Sequence, residues 1–266
     1  MDPTTAPQEF DLFTQEFNLT FPDGSMHGIS MQLIEDSRVF IARLATNYGA
    51  QTGATTMLLL VLLLLTRADK RKSNIFLINA ICLVANTTRC ILFTCYTTSS
   101  ILNPYAQLTG DWSRVTSGDL ATTAAMNVFT LIVTILVMIS LSMQVWVVCV
   151  TTAPVHRYII MCATTIVALL AIGYKTAFVA LNIKDLLNFE ATDAYVHIYQ
   201  ESYIAQAVAI CFFSCVFTYK LGHAIYQRRK LNMPQFGPMQ IVFVMGCQTM
   251  MIPGTFTPFH LLTRAH

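Results

Sequence analysis

The stretch Met57-Leu-Leu-Leu-Val-Leu-Leu-Leu-Leu-Thr-Arg-Ala-Asp-Lys-Arg-Lys-Ser-Asn-Ile-Phe-Leu-Ile-Asn79 decides the fold. Four basic side chains, Arg67, Lys70, Arg71 and Lys72, crowd the gap between two apolar runs. Charge that dense between segments that apolar reads as the elbow of a helical hairpin crossing a lipid bilayer. It ends the first crossing, holds that turn in the cytosol and meets anionic lipid headgroups there.

Working outward, the same pattern recurs. The chain has 266 residues, 55% of them hydrophobic and only 11% charged. Soluble domains carry about 25% charged residues, so water is the wrong solvent for most of this surface and lipid is the expected one. Windows of membrane-spanning length find apolar segments at about 39–65, 74–96, 122–150, 158–183, 202–226 and 238–262. The runs are too long for strands and show no recurring alternation, so an all-α, polytopic transmembrane helix bundle is expected. Residues 1–38 are expected to form an outer, polar amino-terminal tail: the first 36 hold seven acids and no Lys or Arg, unlike a secretory signal.

Charge orients the bundle. With the amino terminus outside, the inner connectors carry Arg67, Lys70, Arg71, Lys72, Arg157, Arg228, Arg229 and Lys230, whereas the outer loops carry only Arg114 and Lys184. Basic side chains resist translocation, so this asymmetry predicts a cytosolic face for the first set. The sequon Asn18-Leu-Thr20 lies in the expected outer tail, where glycosylation of Asn18 is possible. A net charge of +2 suggests no nucleic-acid partner. The eight cysteines lie in or beside apolar runs without metal-knuckle spacing and are expected to be small buried hydrophobes. No hydrolase, zinc-protease or nucleotide-loop motif appears, so no enzyme activity, cofactor or metal is expected.

Polar residues inside the spans are the candidate functional set, because each needs a partner in hydrocarbon. Arg43, Lys175 and Lys220 lie toward span ends and are expected to snorkel to the nearer interface. Arg89 lies deeper and should face the bundle interior, toward a ligand or polar neighbours. Asn79, Asn127, Gln144 and Gln248 are expected to make interhelical hydrogen bonds, and Asn79 and Gln144 both lie toward the cytosolic side. Gly49 and Gly53 form a GxxxG that suits either a dimer contact or intrachain packing. Pro253 should kink its helix.

Specific strings then point to a family. Lys72-Ser-Asn-Ile-Phe-Leu-Ile-Asn79, Ala125-Met-Asn127 followed by Ser140-Leu-Ser-Met-Gln144, and Arg228-Arg-Lys-Leu-Asn-Met-Pro-Gln-Phe236 followed by Gly246-Cys-Gln-Thr-Met-Met-Ile-Pro253 resemble the fungal α-factor-type mating pheromone receptors, the class D G-protein-coupled receptors. The resemblance covers about residues 37–254. It implies a seven-helix plasma-membrane receptor, six helices of which fall in this chain, that binds a secreted peptide pheromone outside, activates a heterotrimeric G protein inside and forms homodimers.

The resemblance also implies roles. Asn127 would line the ligand-facing part of the third helix, with Arg89 and Gln51 as further ligand-side candidates. Asn79 and Gln144 would link the second and third helices, and Gln248, Thr249 and Pro253 would belong to the moving part of the sixth. Arg228, Arg229, Lys230, Gln235 and Phe236 would face the G protein, and Gly49 and Gly53 would serve dimerisation; Arg157, on an inner connector, is a further candidate for the G-protein face from its position. The family can carry an arginine between those glycines where this chain has Gln51. The end, Thr255 to His266, does not resemble the family, and the expectation is a form truncated before the seventh helix that signals poorly or not at all. The competing expectation is a fungal lipid translocator or small-molecule exporter, disfavoured by the few intramembrane acids.

Overall fold

A computed structural model describes residues 15–21, 23–66, 71–149, 154–188 and 196–230. Among the described residues a short hairpin, β1 (Glu16–Thr20) and β2 (Met26–Ser30), precedes six α-helices. These are α1 (Met31–Leu65), α2 (Asn74–Thr97), the short α3 (Pro104–Thr109), α4 (Ser117–Cys149), α5 (Pro154–Asn188) and α6 (Val196–Lys230), with a 3-10 turn at Ser100–Leu102. Five of them (α1, α2, α4, α5 and α6) are long and apolar enough to cross a membrane. The all-α architecture expected from the sequence is therefore the one observed. The sixth span, expected at 238–262, lies outside the described residues, as do Gln235, Phe236, Gln248, Thr249 and Pro253.

Helix ends differ from the apolar segments for local reasons. The first span was expected from residue 39, but α1 begins at Met31. Residues 31–38 are too polar for a hydropathy window to include. They are nevertheless helical, with Arg38 donating to Glu35 one turn earlier. At 1.5 Å per residue a 35-residue helix is about 52 Å long, well beyond a hydrocarbon core of about 30 Å, so its first turns stand clear of the lipid. The third span was expected from residue 122, but α4 starts at Ser117 because Thr116 and Asp119 form a capping box. The Thr116 Oγ1 accepts from Asp119 N at 3.2 Å, and Asp119 Oδ2 accepts from Thr116 N at 3.2 Å. Before it, Asn103 caps α3 by accepting from Tyr105 N, Pro104 occupies the first turn, and Gly110 ends the helix at φ 68°. Only glycine takes that left-handed conformation without strain.

Part of the expected outer tail is structured rather than plain tail. β1 and β2 pair antiparallel from Glu16↔Ser30 to Thr20↔Met26, and Gly24 turns the hairpin at φ 81°. The Pro22-Asp-Gly24 string between β-forming residues was the available signal.

The chain divides into two compact units, Met1–Leu63 with Leu83–Phe129, and Leu64–Cys82 with Thr130–His266. In the first, Tyr48 of α1 stacks on Phe93 of α2 with centroids 3.9 Å apart, and Thr87 donates to Thr55 at 3.0 Å. The Tyr105 hydroxyl donates to the Thr20 carbonyl, tying α3 to the hairpin. In the second, Met138, Leu141, Val145 and Cys149 of α4 pack with Ala168 and Ala171 of α5 and with Ala209 and Phe213 of α6. The three alanines let backbones approach closely, which is how helices associate where lipid removes the hydrophobic drive.

Threonine hydroxyls along the spans mostly donate to carbonyls four residues earlier, as Thr46, Thr56, Thr88 and Thr134 do. That satisfies each hydroxyl within its own helix, the cheapest solution in hydrocarbon.

The expectation of buried cysteines needs correction. Cys90 and Cys149 are buried, but Cys95, Cys162, Cys211 and Cys215 are exposed on their helices. In a bilayer an exposed thiol faces acyl chains, so apolar character no longer requires burial within the protein.

Candidate functional site

Three clusters of polar side chains occupy the membrane-length helices. The first joins α2 to α4. Ser140 Oγ donates to Asn79 Oδ1 at 2.6 Å, and Gln144 Nε2 donates to Ser140 Oγ at 3.3 Å. Asn79 and Gln144 thus meet through Ser140, a residue the sequence reading left out of its site. Its spacing of four from Gln144, one helical turn, was the signal that could have found it. Hydrogen bonds between membrane helices average about 0.6 kcal/mol and reach about 1.7. Ser140→Ala should therefore cost about 1 kcal/mol, visible as a lowered melting temperature in detergent. Asn79→Ala added to it should cost little more, because the shared bond is already gone.

The second cluster joins α1 to α2. Arg89 NH2 lies 3.4 Å from Gln51 Oε1 and 4.0 Å from Cys90 Sγ, and the fully buried Cys90 thiol points at the same Gln51 oxygen. Arg89 Nε is buried with no hydrogen-bond partner. Arg89 and Gln51, each named from the sequence as a ligand-side candidate, lie side by side here. Asn127 is buried in α4, but its Nδ2 donates to the Thr123 carbonyl at 3.1 Å, within its own helix.

The third cluster overturns an expectation. Lys175 does not snorkel: it is 1% exposed on α5. Its Nζ sits 4.2 Å from the ring centre of Tyr203 on α6 and 5.0 Å from that of Phe178. Phe178 meets Tyr199 edge-on at 5.2 Å, and Tyr199 meets Tyr203 at 4.8 Å, so the cation lies in an aromatic enclosure. The π faces replace part of the hydration lost on burial. The Tyr-x-x-x-Tyr repeat on α6 was legible; its pairing with Lys175 was not, since it depends on helix register. Asp185, ten residues further along the same α5, is also buried, with Oδ2 unpartnered.

Elsewhere the candidates are more open. Gly49 and Gly53 are exposed, and a Cβ at either would meet nothing within 4 Å, so the intrachain-packing alternative is not seen among the described residues. Asn18 is exposed on β1. Arg157 stacks on the Trp146 ring at 3.9 Å. The backbone of α6 continues through Arg228, Arg229 and Lys230, whose side chains lie outside the described part. On the loop after α3, Asp111 accepts from the Ser113 amide at 3.0 Å, and hydrogen bonds from Ser113 hold its carboxyl below the usual carboxylate range.

A family model described as fungal pheromone mating factor STE2 GPCR matches residues 10–265. The chain belongs to that family. It is 28% identical over 220 residues to the pheromone P-factor receptor of Schizosaccharomyces pombe, an alignment covering 79% of this chain and 61% of that receptor. It is also 28% identical over 214 residues to the pheromone alpha factor receptor of Saccharomyces cerevisiae, covering 79% of this chain and 48% of that one. The chain thus spans between about half and three-fifths of the curated relatives it matches. Family membership and five membrane-length helices together make it a multi-pass membrane protein. Neither the family match nor the relatives point to the translocator expected as the alternative.

Proposed function

We propose that the protein is a G-protein-coupled receptor for a secreted peptide pheromone, placed in the plasma membrane with its amino terminus outside. The observation that carries this reading is the family match over residues 10–265, supported by the two yeast pheromone receptors. The peptide binds from the outside, near Arg89, Gln51 and Asn127, and favours the arrangement of helices that exposes a heterotrimeric G protein's docking face. A ligand shifts such an equilibrium only by its difference in affinity for the two arrangements.

The basic inner connectors, with Arg228, Arg229, Lys230, Gln235 and Phe236, form the G-protein face, and Gln248, Thr249 and Pro253 move with it. The bridge Asn79–Ser140–Gln144 is polar and, in the proposed orientation, lies toward the cytosolic ends of its helices, which suits a contact that changes on activation. The open glycine pair Gly49 and Gly53 leaves one face of α1 available to a second copy.

The test is saturable binding of a labelled synthetic peptide pheromone to membranes from cells expressing the chain. Displacement by unlabelled peptide, and its absence in mock membranes, supports the reading. Absence of saturable binding with a folded, membrane-inserted protein contradicts it.

A further inference from the structure

Beyond peptide recognition, the second unit carries a feature that the receptor reading does not use. Along the seam between α4 and α5 runs a groove of about 300 Å³. Its walls include Met138, Ile139, Met143 and Trp146 from α4 and Met161 and Ile172 from α5, with Ser142 as a polar member. At its Trp146 end sits Arg157, whose guanidinium carbon lies 3.9 Å from the indole centre. Trp146 therefore does two things at once: its ring lines the groove and its π face holds a cation beside it. That guanidinium makes no ion pair or hydrogen bond among the described residues, though it offers five N–H donors.

We propose that this seam binds one anionic phospholipid, with its phosphate on Arg157 and one acyl chain in the groove. The chemistry selects this occupant. The walls are methionine, isoleucine and tryptophan, a surface suited to a flexible hydrocarbon chain and poor for a polar peptide. The fixed guanidinium matches phosphate by paired N–H donation, which a zwitterionic surface uses less well because its own cation competes. Arg157, in the first turn of α5, also adjoins a connector read as cytosolic, the side where anionic lipids concentrate. The leaflet assignment rests on the orientation proposed above; the binding itself does not. Arg157 thereby acts on the membrane side of the connector, in place of the G-protein contact expected for it.

The measurement is native mass spectrometry of the whole chain, purified in mild detergent with equal phosphatidylserine and phosphatidylcholine. One retained phosphatidylserine per chain is expected, at several times the level of retained phosphatidylcholine. Arg157→Gln should lower it about fivefold, and Ser142→Phe, which keeps the guanidinium but blocks the groove, should lower it similarly. Arg114→Gln, on an outer loop, should leave it unchanged. Equal retention of the two lipids, no adduct, or an equal loss with Arg114→Gln overturns the site. If Arg157→Gln shifts the melting temperature, Ser142→Phe decides, and unchanged retention in that variant overturns the proposal. Because detergent has no sidedness, failure here is separable from an error in orientation and from failure of peptide binding.

Discussion

Arg89→Leu should weaken peptide binding about 10- to 100-fold while making the protein more stable. The two effects have one cause. Arg89 lies within an apolar helix, its Nε has no partner, and its contact with Gln51 is long at 3.4 Å. A cation at a helix centre costs about 2.5–3.5 kcal/mol on insertion scales, and the long contacts with Gln51 and the Cys90 sulfur offset little of it. Removing the charge therefore relieves the folded protein. If that guanidinium receives a polar group of the peptide, the variant also loses a charged hydrogen bond worth about 1.5–3 kcal/mol, which converts to the stated loss in affinity. Titration of labelled peptide and thermal unfolding in detergent read the two together. A purely structural arginine predicts the reverse pair, with stability falling and affinity unchanged once corrected for folded fraction.

The second large effect concerns Lys175. Tyr203→Leu should destabilise the protein by about 2 kcal/mol in the native background and by well under 1 in a Lys175→Met background. The ring lies 4.2 Å from the buried ammonium, so its loss leaves a desolvated charge with less compensation. Lys175→Met alone should be neutral or stabilising, because methionine fills similar space without a charge to desolvate. The coupling between the two positions is the quantity to measure, by a double-mutant cycle on melting in detergent. Additive costs would show that the enclosure is packing alone.

Much of the fold could be read directly because its signals are one-dimensional. An apolar run of membrane length specifies a helix by itself, since no other conformation satisfies its backbone in lipid. The segment expected at 74–96 and α2 at Asn74–Thr97 nearly coincide for that reason. Helix starts were less legible, because Met31 to Arg38 and Thr116 to Asp119 are set by polar pairing that hydropathy ignores.

The polar clusters divide in the same way. Arg89 is conspicuous from its cost alone, and Gln51 was found beside it. Lys175 carries the same kind of charge, yet its burial depends on which faces of α5 and α6 meet, a matter of rotation about two helix axes. Ser140 gives no such signal, since serine in a helix usually satisfies itself, and only its position between Asn79 and Gln144 makes it a bridge.

The direct test of the central claim, a lipid-embedded chain with its basic connectors in the cytosol, is glycosylation mapping. Asn-x-Thr acceptors engineered at positions 69–71 and 112–114, beside the native acceptor at Asn18, are compared by their glycosidase-sensitive shifts on gels. The account predicts a glycan at 112–114 and none at 69–71. A glycan on the basic elbow, with the 112–114 acceptor left bare, contradicts it.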